Sequence, residues 1–518
     1  MWTTEPRAEV IQPAIKVFLV FFFVGSFSEA EKNTDLLLSR GMELLKEGKI
    51  EQALPLLERS VVENPVSAKA HNSYGSALGK TGAFPKAISE FKKAIDLVPH
   101  YPEALFNLGA TLAQTGDLEG AIVALRTATQ QHPAMVDAYL ELGSLFARIG
   151  DNSQALAVYR GAVSAVPNSV EARIRLGNAL KQDDNLDDSI AEFRRALSLD
   201  ANSISAIRSL AQAMRDQHDW EGAAELHRRL VSLQPNSAES HADLGYVLRR
   251  ADRLSEALEV LRRAVALSPE VARAHFYLAD TLAQVGDSTA ALQEYEKSFL
   301  LEPKDPEITL KYGLALSKDR PKDAIVLLRR SVELDPKNPA AHRSLGSLLR
   351  RTGDIEGSSA AFQRAQELSA ESDRHSEVVV HTKAAIQLLK KNDVVRAIEE
   401  LRSALVMEAD SADANHLLGV ALSAIGKENE AQKAFAAALR KRPSDPEIHF
   451  NFGVFLGRQA DWQGAAREFR QVVTLRPGHS QAHCLLANAL AQAGNTEAAQ
   501  KELKLARDFG HCELESAR

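Results

Sequence analysis

The chain has 518 residues, of which 25% are charged and 45% hydrophobic, and its formal net charge is −7 at pH 7. This mildly acidic balance argues against general nucleic-acid binding, which favours a basic surface. With only two cysteines, the sequence lacks a disulfide framework, and an ordinary globular chain of this length would divide into several domains.

The first predicted element is an apolar run, VFLVFFFV, over residues 17–24. Arg7 and Lys16 precede this run, and small residues around Ser26 follow it. A basic start, a short apolar stretch and small residues at its end are typical of a secretory signal peptide. The run is shorter than the ~20 residues that a membrane-spanning helix needs.

We therefore expect residues 1–28 to act as a signal peptide that directs export to the periplasm or the cell exterior. The small residues place cleavage between Ser28 and Ala30. The alternative is an uncleaved membrane anchor formed by residues 10–28. Pro13 lies within that range and disfavours a continuous spanning helix.

After this segment, a small residue returns every 34 positions. Within one period, residues 102–135, apolar residues recur at helical spacing on both sides of Gly116-Asp117, and Pro133 follows them. Glycine ends a helix, aspartate caps the next one, and proline cannot continue a helix. The period therefore predicts a stack of helix–turn–helix units, with these small residues at the helix contacts: Gly109, Gly143, Gly177, Ala211, Gly245, Ala279 and Gly313.

This spacing resembles the tetratricopeptide repeat. One period that matches it well carries Leu142, Gly143, Ala155, Tyr159, Ala162 and Pro167. The resemblance covers nearly the whole chain. It implies an all-α fold, a right-handed superhelical solenoid of about 14 tetratricopeptide-like repeats, in which the first helix of each repeat lines a concave groove.

In phase with this pattern, ten repeats span residues 34–372 and four repeats span residues 378–513, which leaves a tail at 514–518. The polar residues 373–377 break the phase between the two blocks. We interpret them as a lengthened connection and a hinge. The alternative is a single longer turn within a continuous rod.

The resemblance also implies where a partner would bind, because five positions of the repeat usually face the groove in this family. In the central repeats these positions combine arginines, amides and two aromatic rings, which suits an acidic peptide or a peptide with a C-terminal carboxylate. The alternative is that the arginines only reflect a family habit of basic residues at one of these positions. The candidate peptide-binding residues are Asn178, Lys181, Arg208, Gln212, Arg215, Tyr246, Arg249, Arg250 and Phe276, followed by a second basic step at Arg343, Arg350 and Arg351.

The C-terminal end of the chain contains the strongest candidate metal ligands, which are His479, His483, Cys484, His511 and Cys512. However, histidine recurs at the fourth position of the repeat in six other units, so we interpret His483 as a packing residue and expect no metal ion. The two cysteines fall at one edge of the last predicted hairpin. A disulfide is geometrically conceivable, but we favour two free thiols.

Residues 183–194 have the early spacing of a calcium loop, but its sixth position is Asp188 instead of glycine and its twelfth is Arg194 instead of glutamate. We find no phosphate-binding loop, nucleophile elbow or metalloprotease helix pair. We therefore expect a non-catalytic scaffold without cofactor or metal, which binds a protein or peptide and no nucleic acid. The alternatives are an accessory subunit of an enzyme for polysaccharide export or modification, and a membrane-anchored assembly factor of the cell envelope.

Overall fold

The computed structural model describes residues 34–509 and Cys512. The predicted N-terminal segment, His511 and the tail at 514–518 lie outside the described residues. The described part of the chain consists of 27 α-helices without a β-strand, so the predicted all-α solenoid is confirmed. None of the helices between residues 34 and 509 is both long and apolar enough to span a membrane.

The helices are α1 (34–46), α2 (Ile50–Glu63), α3 (Ala68–Lys80), α4 (Phe84–Leu97), α5 (Pro102–Thr115), α6 (Leu118–Gln131), α7 (Val136–Arg148), α8 (Asn152–Ala165), α9 (Val170–Gln182), α10 (Leu186–Leu199), α11 (Ile204–Asp216), α12 (Trp220–Leu233), α13 (Ala238–Arg250), α14 (Leu254–Leu267), α15 (Ala272–Gln284), α16 (Ser288–Leu301), α17 (Pro306–Leu316), α18 (Pro321–Leu334), α19 (Pro339–Thr352), α20 (Ile355–Lys390), α21 (Val394–Met407), α22 (Ala412–Ala424), α23 (Glu428–Lys441), α24 (Pro446–Arg458), α25 (Trp462–Leu475), α26 (Ser480–Gln492) and α27 (Thr496–Phe509).

The turn between two helices of a hairpin is set by local sequence. Gly116 ends α5 with a φ of 88°, which a glycine adopts without steric cost, and the side chain of Asp117 accepts a hydrogen bond from the Gly120 amide at 2.9 Å. His132 follows α6 in a non-helical conformation directly before Pro133. The stop, cap and break predicted for this repeat are therefore confirmed.

Within a hairpin, the two helices meet where the first helix carries its small residue. A Cβ atom added at Gly177 would lie 2.5 Å from Cε1 of Phe193, and one added at Gly453 would lie 2.8 Å from Cε1 of Phe469. The aromatic ring of the second helix therefore packs directly on the backbone of the first. A larger residue at the glycine would push the helices apart.

The predicted lengthened connection at residues 373–377 is wrong, because these residues lie inside the continuous 36-residue helix α20. Between Gly357 and Lys390 the sequence contains neither glycine nor proline, so nothing local stops the helix. Polar residues alone do not end a helix when they are compatible with helical backbone angles. The phase break instead lengthens α20, which packs against both α19 and α21.

Two compact units make up the described chain, and the division falls between Pro167 and Asn168 instead of at residues 373–377. The first unit contains α1–α8. The second contains α9–α27, and most of its buried apolar side chains belong to continuous clusters that run through successive hairpins. All candidate peptide-binding residues lie in the second unit.

The preference for two free thiols is also wrong, because Cys484 and Cys512 form a disulfide, with their Cα atoms 5.4 Å apart. Cys484 lies in the first turns of α26, and α27 returns the chain to the same end of the hairpin. Spacing along the sequence left this pairing open, and the antiparallel packing of the last two helices decides it.

Candidate peptide-binding groove

The candidate residues lie on the first helices of successive hairpins of the second unit. Helix α9 contacts α11, and α13 contacts α15, so these helices lie side by side. Asn178 and Lys181 belong to α9, three candidates belong to α11, and three more belong to α13. Arg215 of α11 and Arg249 of α13 both lie on the Tyr246 ring, so the structure places these three candidates next to one another.

The centre of this face is a cluster of stacked arginine and aromatic side chains, which we call the Arg–aromatic cluster. It consists of Arg215 from α11, Trp220 from α12, Tyr246, Arg249 and Arg250 from α13, and Tyr277 from α15. The Cζ atom of Arg215 lies 4.9 Å from the centroid of the Tyr246 ring, and that of Arg249 lies 5.6 Å from the same ring. Arg250 covers Trp220 at 4.6 Å.

Aromatic contacts connect the cluster across three hairpins. The Tyr246 and Tyr277 rings are 4.9 Å apart, and the Trp220 and Tyr246 rings meet edge to face at 6.4 Å. Each guanidinium therefore lies on a ring whose own position is fixed by packing. Such cation–π stacking orients the planar donors without using all of their N–H groups.

A buried carboxylate lies at one side of the Arg–aromatic cluster. Asp280 on α15 is 9% exposed and accepts a hydrogen bond from the Tyr295 hydroxyl at 2.6 Å. The Nη2 atom of Arg249 lies 3.4 Å from Asp280, and Nζ of Lys311 lies 3.7 Å from it. Burial, together with the hydrogen bond to Asp280, raises the pKa of Tyr295 far above its usual range, so this hydroxyl remains a donor.

A second carboxylate lies half-buried beside the cluster. Arg273 Nη1 lies 3.7 Å from Asp243 and its Nη2 lies 3.6 Å from Glu239. Burial raises the pKa of the Asp243 carboxyl, although Arg273 and Arg215 act in the opposite direction. The face thus carries both signs of charge, with the acidic groups flanking the stacked arginines.

Beneath the arginines lies a buried histidine with no hydrogen-bond partner among the described residues. His227 of α12 is 3% exposed, and neither ring nitrogen is bonded. Burial lowers its pKa to about 4, and the charges of Arg215 and Arg208 add to this effect. At neutral pH the ring is therefore uncharged.

Two cations of the face are exposed and take part in no ion pair within residues 34–509, and these are Arg208 and Arg250. By contrast, Lys181 lies 3.4 Å from Asp216, and Gln212 donates to the same carboxylate at 2.8 Å. Asp216 therefore partly satisfies these two candidates. Arg208 and Arg250 are the charged groups best placed to meet a ligand.

One candidate does not face the groove. Phe276 is 6% exposed and packs against the Tyr295 ring in the core of the α15–α16 hairpin. Its assignment to the peptide-binding surface is therefore wrong, because this apolar side chain turns towards the second helix of its own repeat.

The second basic step lies apart from the cluster, on α19. Arg343, Arg350 and Arg351 are exposed, and Arg351 donates a hydrogen bond to the carbonyl of Ser317. No aromatic ring stacks on these three arginines in the described part of the chain, so they lack the fixed orientation of the central group.

Sequence reasoning missed several members of the site, which are Trp220, His227, Arg273, Tyr277, Asp280 and Lys311. Most of them lie at positions other than those that the family usually turns to the groove. One signal was present in the sequence, which is the spacing of Tyr246 and Tyr277. They are 31 residues apart, three fewer than a full period, so they lie at nearby positions of neighbouring repeats, where their rings meet.

Three of the C-terminal candidate metal ligands have other partners in the structure. The cysteines are bonded to each other, and both ring nitrogens of His483 lie against protein oxygens. Among residues 34–509 and Cys512, no three histidine, cysteine or acidic side chains are arranged to hold a metal ion. His511 lies outside the described residues.

Comparison with known families gives matches along most of the chain. One family model described as tetratricopeptide repeat matches residues 38–102, 80–136, 106–170, 140–204, 208–270, 243–307 and 314–373. A second model with the same description matches residues 388–449 and 458–510. No curated protein matches the sequence significantly.

Solved structures with a similar fold include Pseudomonas aeruginosa pilF, at 19% identity and a TM-score of 0.36, over 41% of this chain and 96% of that one. The Cut9–Hcn1 hetero-tetramer of the APC/C matches at 15% identity and a TM-score of 0.36, over 88% of this chain and 96% of the other. MamA from Desulfovibrio magneticus RS-1 matches at 20% identity and a TM-score of 0.31, over 33% and 96%.

Proposed function

Because the chain belongs to the tetratricopeptide repeat family, whose members commonly bind protein partners, we propose that it is a non-catalytic scaffold that captures a peptide on the Arg–aromatic cluster. The ligand is an acidic peptide segment or a chain end with its free carboxylate. The observation that carries the proposal is the stacking of Arg215 and Arg249 on Tyr246 and of Arg250 on Trp220.

Stacking prepares the site for a carboxylate before the ligand arrives. A guanidinium held on a ring loses little freedom when it binds, and its planar N–H groups match the two oxygens of a carboxylate. The guanidinium of Arg250 is exposed while it lies on the Trp220 ring, so a ligand can reach its N–H groups. The adjacent rings offer apolar surface to a neighbouring ligand side chain, as interface aromatic residues do.

Acidic residues beside the Arg–aromatic cluster limit which peptides can bind. Asp216, Glu239 and Asp243 repel a uniformly acidic segment, whereas a single carboxylate between apolar residues can approach the arginines between them. We therefore infer that the partner presents one or two carboxylates next to an apolar side chain.

A charge-reversal pair tests the proposal. The double variant Arg208→Glu with Arg250→Glu should weaken capture of the partner by about tenfold or more, because both side chains are exposed and would then repel a carboxylate. Partners are captured by cross-linking and identified by mass spectrometry, and the affinity of the identified segment is then measured.

The matched control is Arg262→Glu with Arg263→Glu. These arginines are exposed on α14, the second helix of the hairpin that carries Tyr246, and the net charge changes by the same amount. The control should keep the affinity, and both variants should keep the helical content of the wild type. Equal loss in the two variants would show that only overall charge matters, which contradicts groove recognition.

We also propose that the chain is exported, with the N-terminal apolar run as its signal. The disulfide between Cys484 and Cys512 supports this proposal, since disulfides persist in oxidising compartments outside the cytosol. N-terminal sequencing of the mature protein should give a start near Glu29. An intact N-terminus in a membrane fraction would instead favour the anchored assembly factor, and co-purification with an active enzyme would favour the accessory subunit.

A further inference from the structure

Five hairpins share an interaction between their two helices that the sequence pattern did not predict. A histidine at the fourth position of the repeat places its Nδ1 atom 2.5 to 2.7 Å from a glutamate oxygen 19 residues later. The pairs are His71–Glu90, His275–Glu294, His381–Glu400, His449–Glu468 and His483–Glu502.

In four of these pairs the other ring nitrogen also meets an oxygen atom. The Nε2 atom lies 2.8 to 3.0 Å from the carbonyl of a proline six residues earlier, in the loop that precedes the helix. These four histidine side chains are 4% to 9% exposed. We call the four arrangements histidine staples: His71 with Pro65, His275 with Pro269, His449 with Pro443, and His483 with Pro477.

The oxygens around a staple decide the protonation of its ring. A backbone carbonyl can only accept, and an ionised carboxylate can only accept, so both ring nitrogens must donate. Burial raises the pKa of Glu90 and Glu294, but hydrogen bonds from a lysine and the histidine outweigh it and hold both values below the usual range. A ring that donates from both nitrogens is the charged imidazolium.

One hairpin of the chain has an arginine in place of the staple histidine. In the α9–α10 hairpin, Arg173 occupies the histidine position and donates from Nη1 to Glu192 at 2.7 Å, across the same 19 residues. An arginine is charged at every working pH. The glutamate therefore faces a permanent cation at this position in one repeat.

Two repeats provide the opposite case. His241 and His342 occupy the same position, but the residues 19 places later are Val260 and Ala361. One ring nitrogen of each histidine contacts a backbone carbonyl, at 2.9 Å for His241 and 3.0 Å for His342. A neutral ring can make this single donation, so nothing in these repeats requires the charge.

We propose that the staple of His449 is a pH-sensitive contact, which ties α24 to α25 while the ring is charged and releases them as the pH rises, and that the other three staples share its geometry. The charged groups that face these rings are Glu90 with Lys93, Glu294 with Lys297, Glu468 with Asp445, and Glu502. Loss of the ring proton leaves one ring nitrogen as an acceptor that faces a carboxylate or carbonyl oxygen.

The direction of the effect follows from His449. Burial lowers its pKa, but the hydrogen bonds to Glu468 and to the Pro443 carbonyl together raise it above the ordinary value of 6.5. A group whose pKa is higher in the folded state stabilises the fold fully below its unfolded pKa. This contribution is lost as the pH rises through the raised pKa, so the α24–α25 hairpin should loosen as the pH increases.

The test compares the pH dependence of melting in the full chain. The melting temperature of the wild type should fall between pH 6 and pH 9, whereas replacing His449 by arginine, the residue found at Arg173, should flatten this fall. The matched control, His241→Arg with His342→Arg, should leave the wild-type slope unchanged because neither position has a glutamate partner. A slope that stays the same in the staple variant would overturn the proposal.

Ring protonation can be followed directly if the arginine variants fold poorly. The Cε1 proton resonance of His449 should titrate above the ordinary histidine pKa of 6.5, and Glu468→Gln should shift its titration to lower pH by removing the carboxylate. A neutral ring in the wild type at pH 6, or an unshifted titration in Glu468→Gln, contradicts the staple.

Discussion

Two hairpins of the second unit, α11–α12 and α24–α25, have the same helix lengths but treat a buried histidine in opposite ways. In α24–α25, His449 and Glu468 form a staple, and Phe469 fills the core position next to it. In α11–α12, the apolar residues Ile207 and Leu226 occupy the staple positions, and His227 occupies the core position.

The two histidines are similarly buried, at 3% exposure for His227 and 7% for His449. Burial, with two nearby arginines, lowers the pKa of His227 to about 4. Burial also lowers that of His449, but the carboxylate and carbonyl partners raise it above the ordinary value. At similar side-chain exposure, burial therefore lowers the pKa of the histidine that lacks hydrogen-bond partners, whereas acceptor partners outweigh burial at the other.

The largest expected difference between the hairpins comes from truncating the core position. Phe469→Ala should destabilise its hairpin by about 3–5 kcal/mol, because it removes a nearly fully buried ring and leaves a cavity. The matched variant His227→Ala should cost less, since the removed ring has two unsatisfied nitrogens. Hydrogen exchange of the amides in each hairpin measures both effects. Equal losses would show that the histidine packs as an ordinary aromatic residue.

The second prediction concerns acid. Stability from the neutral His227 ring is fully present above the unfolded pKa of about 6.5 and is lost as the pH falls towards 4, by roughly 2–3 kcal/mol. His227→Phe should remove this loss of stability. The substitution should fit, because the α15–α16 hairpin already combines an aromatic residue, Tyr295, with alanine at the facing position, Ala279. Denaturant unfolding between pH 7 and pH 4 measures the change. A persisting acid loss confined to this hairpin would contradict the assignment.

The third prediction addresses the close contact of the helices. Gly453→Ala should destabilise α24–α25 by about 1–3 kcal/mol, because the new Cβ would lie 2.8 Å from Cε1 of Phe469. The α11–α12 hairpin already carries alanine at this position, Ala211, so the control Ala211→Gly should cost only about 1 kcal/mol through lower helix propensity. Thermal melting followed by circular dichroism compares them, and a neutral Gly453→Ala would refute the contact.

The smallest expected effect is the loss of a helix N-cap, and it should be the same in the two hairpins. Asp219 and Asp461 cap the second helix in the same way, accepting from Gly222 at 2.9 Å and from Gly464 at 2.8 Å. Replacing either aspartate by alanine should cost about 1 kcal/mol. Chemical denaturation of the two variants checks the match, and a large difference would mean that the hairpins also differ outside the histidine positions.

Much of the fold could be predicted because it depends on local rules. The return of a small residue every 34 positions predicted the paired helices, and Gly116, Asp117 and Pro133 predicted the ends of two of them. The interruption at 373–377 breaks the repeat phase, which predicts a longer connection, whereas the structure lengthens the helix instead. The absence of glycine and proline there was the signal that the helix continues.

The site could be predicted only in part. The phase of the repeat placed Arg215, Tyr246, Arg249 and Arg250 on neighbouring first helices, where the structure has them. The repeat phase could not show that Phe276 turns inward, because this orientation depends on its contact with Tyr295 on the second helix of the hairpin.

The sequence by itself determined the repeating hairpin, because helix periodicity, caps and small contact residues act over a few neighbouring positions. Only the tertiary structure decided which arginines stack on rings, in which direction the pKa values of His227 and His449 shift, and that Cys484 meets Cys512. These properties arise from desolvation and from partners on other helices, and packing alone brings such partners within hydrogen-bond distance.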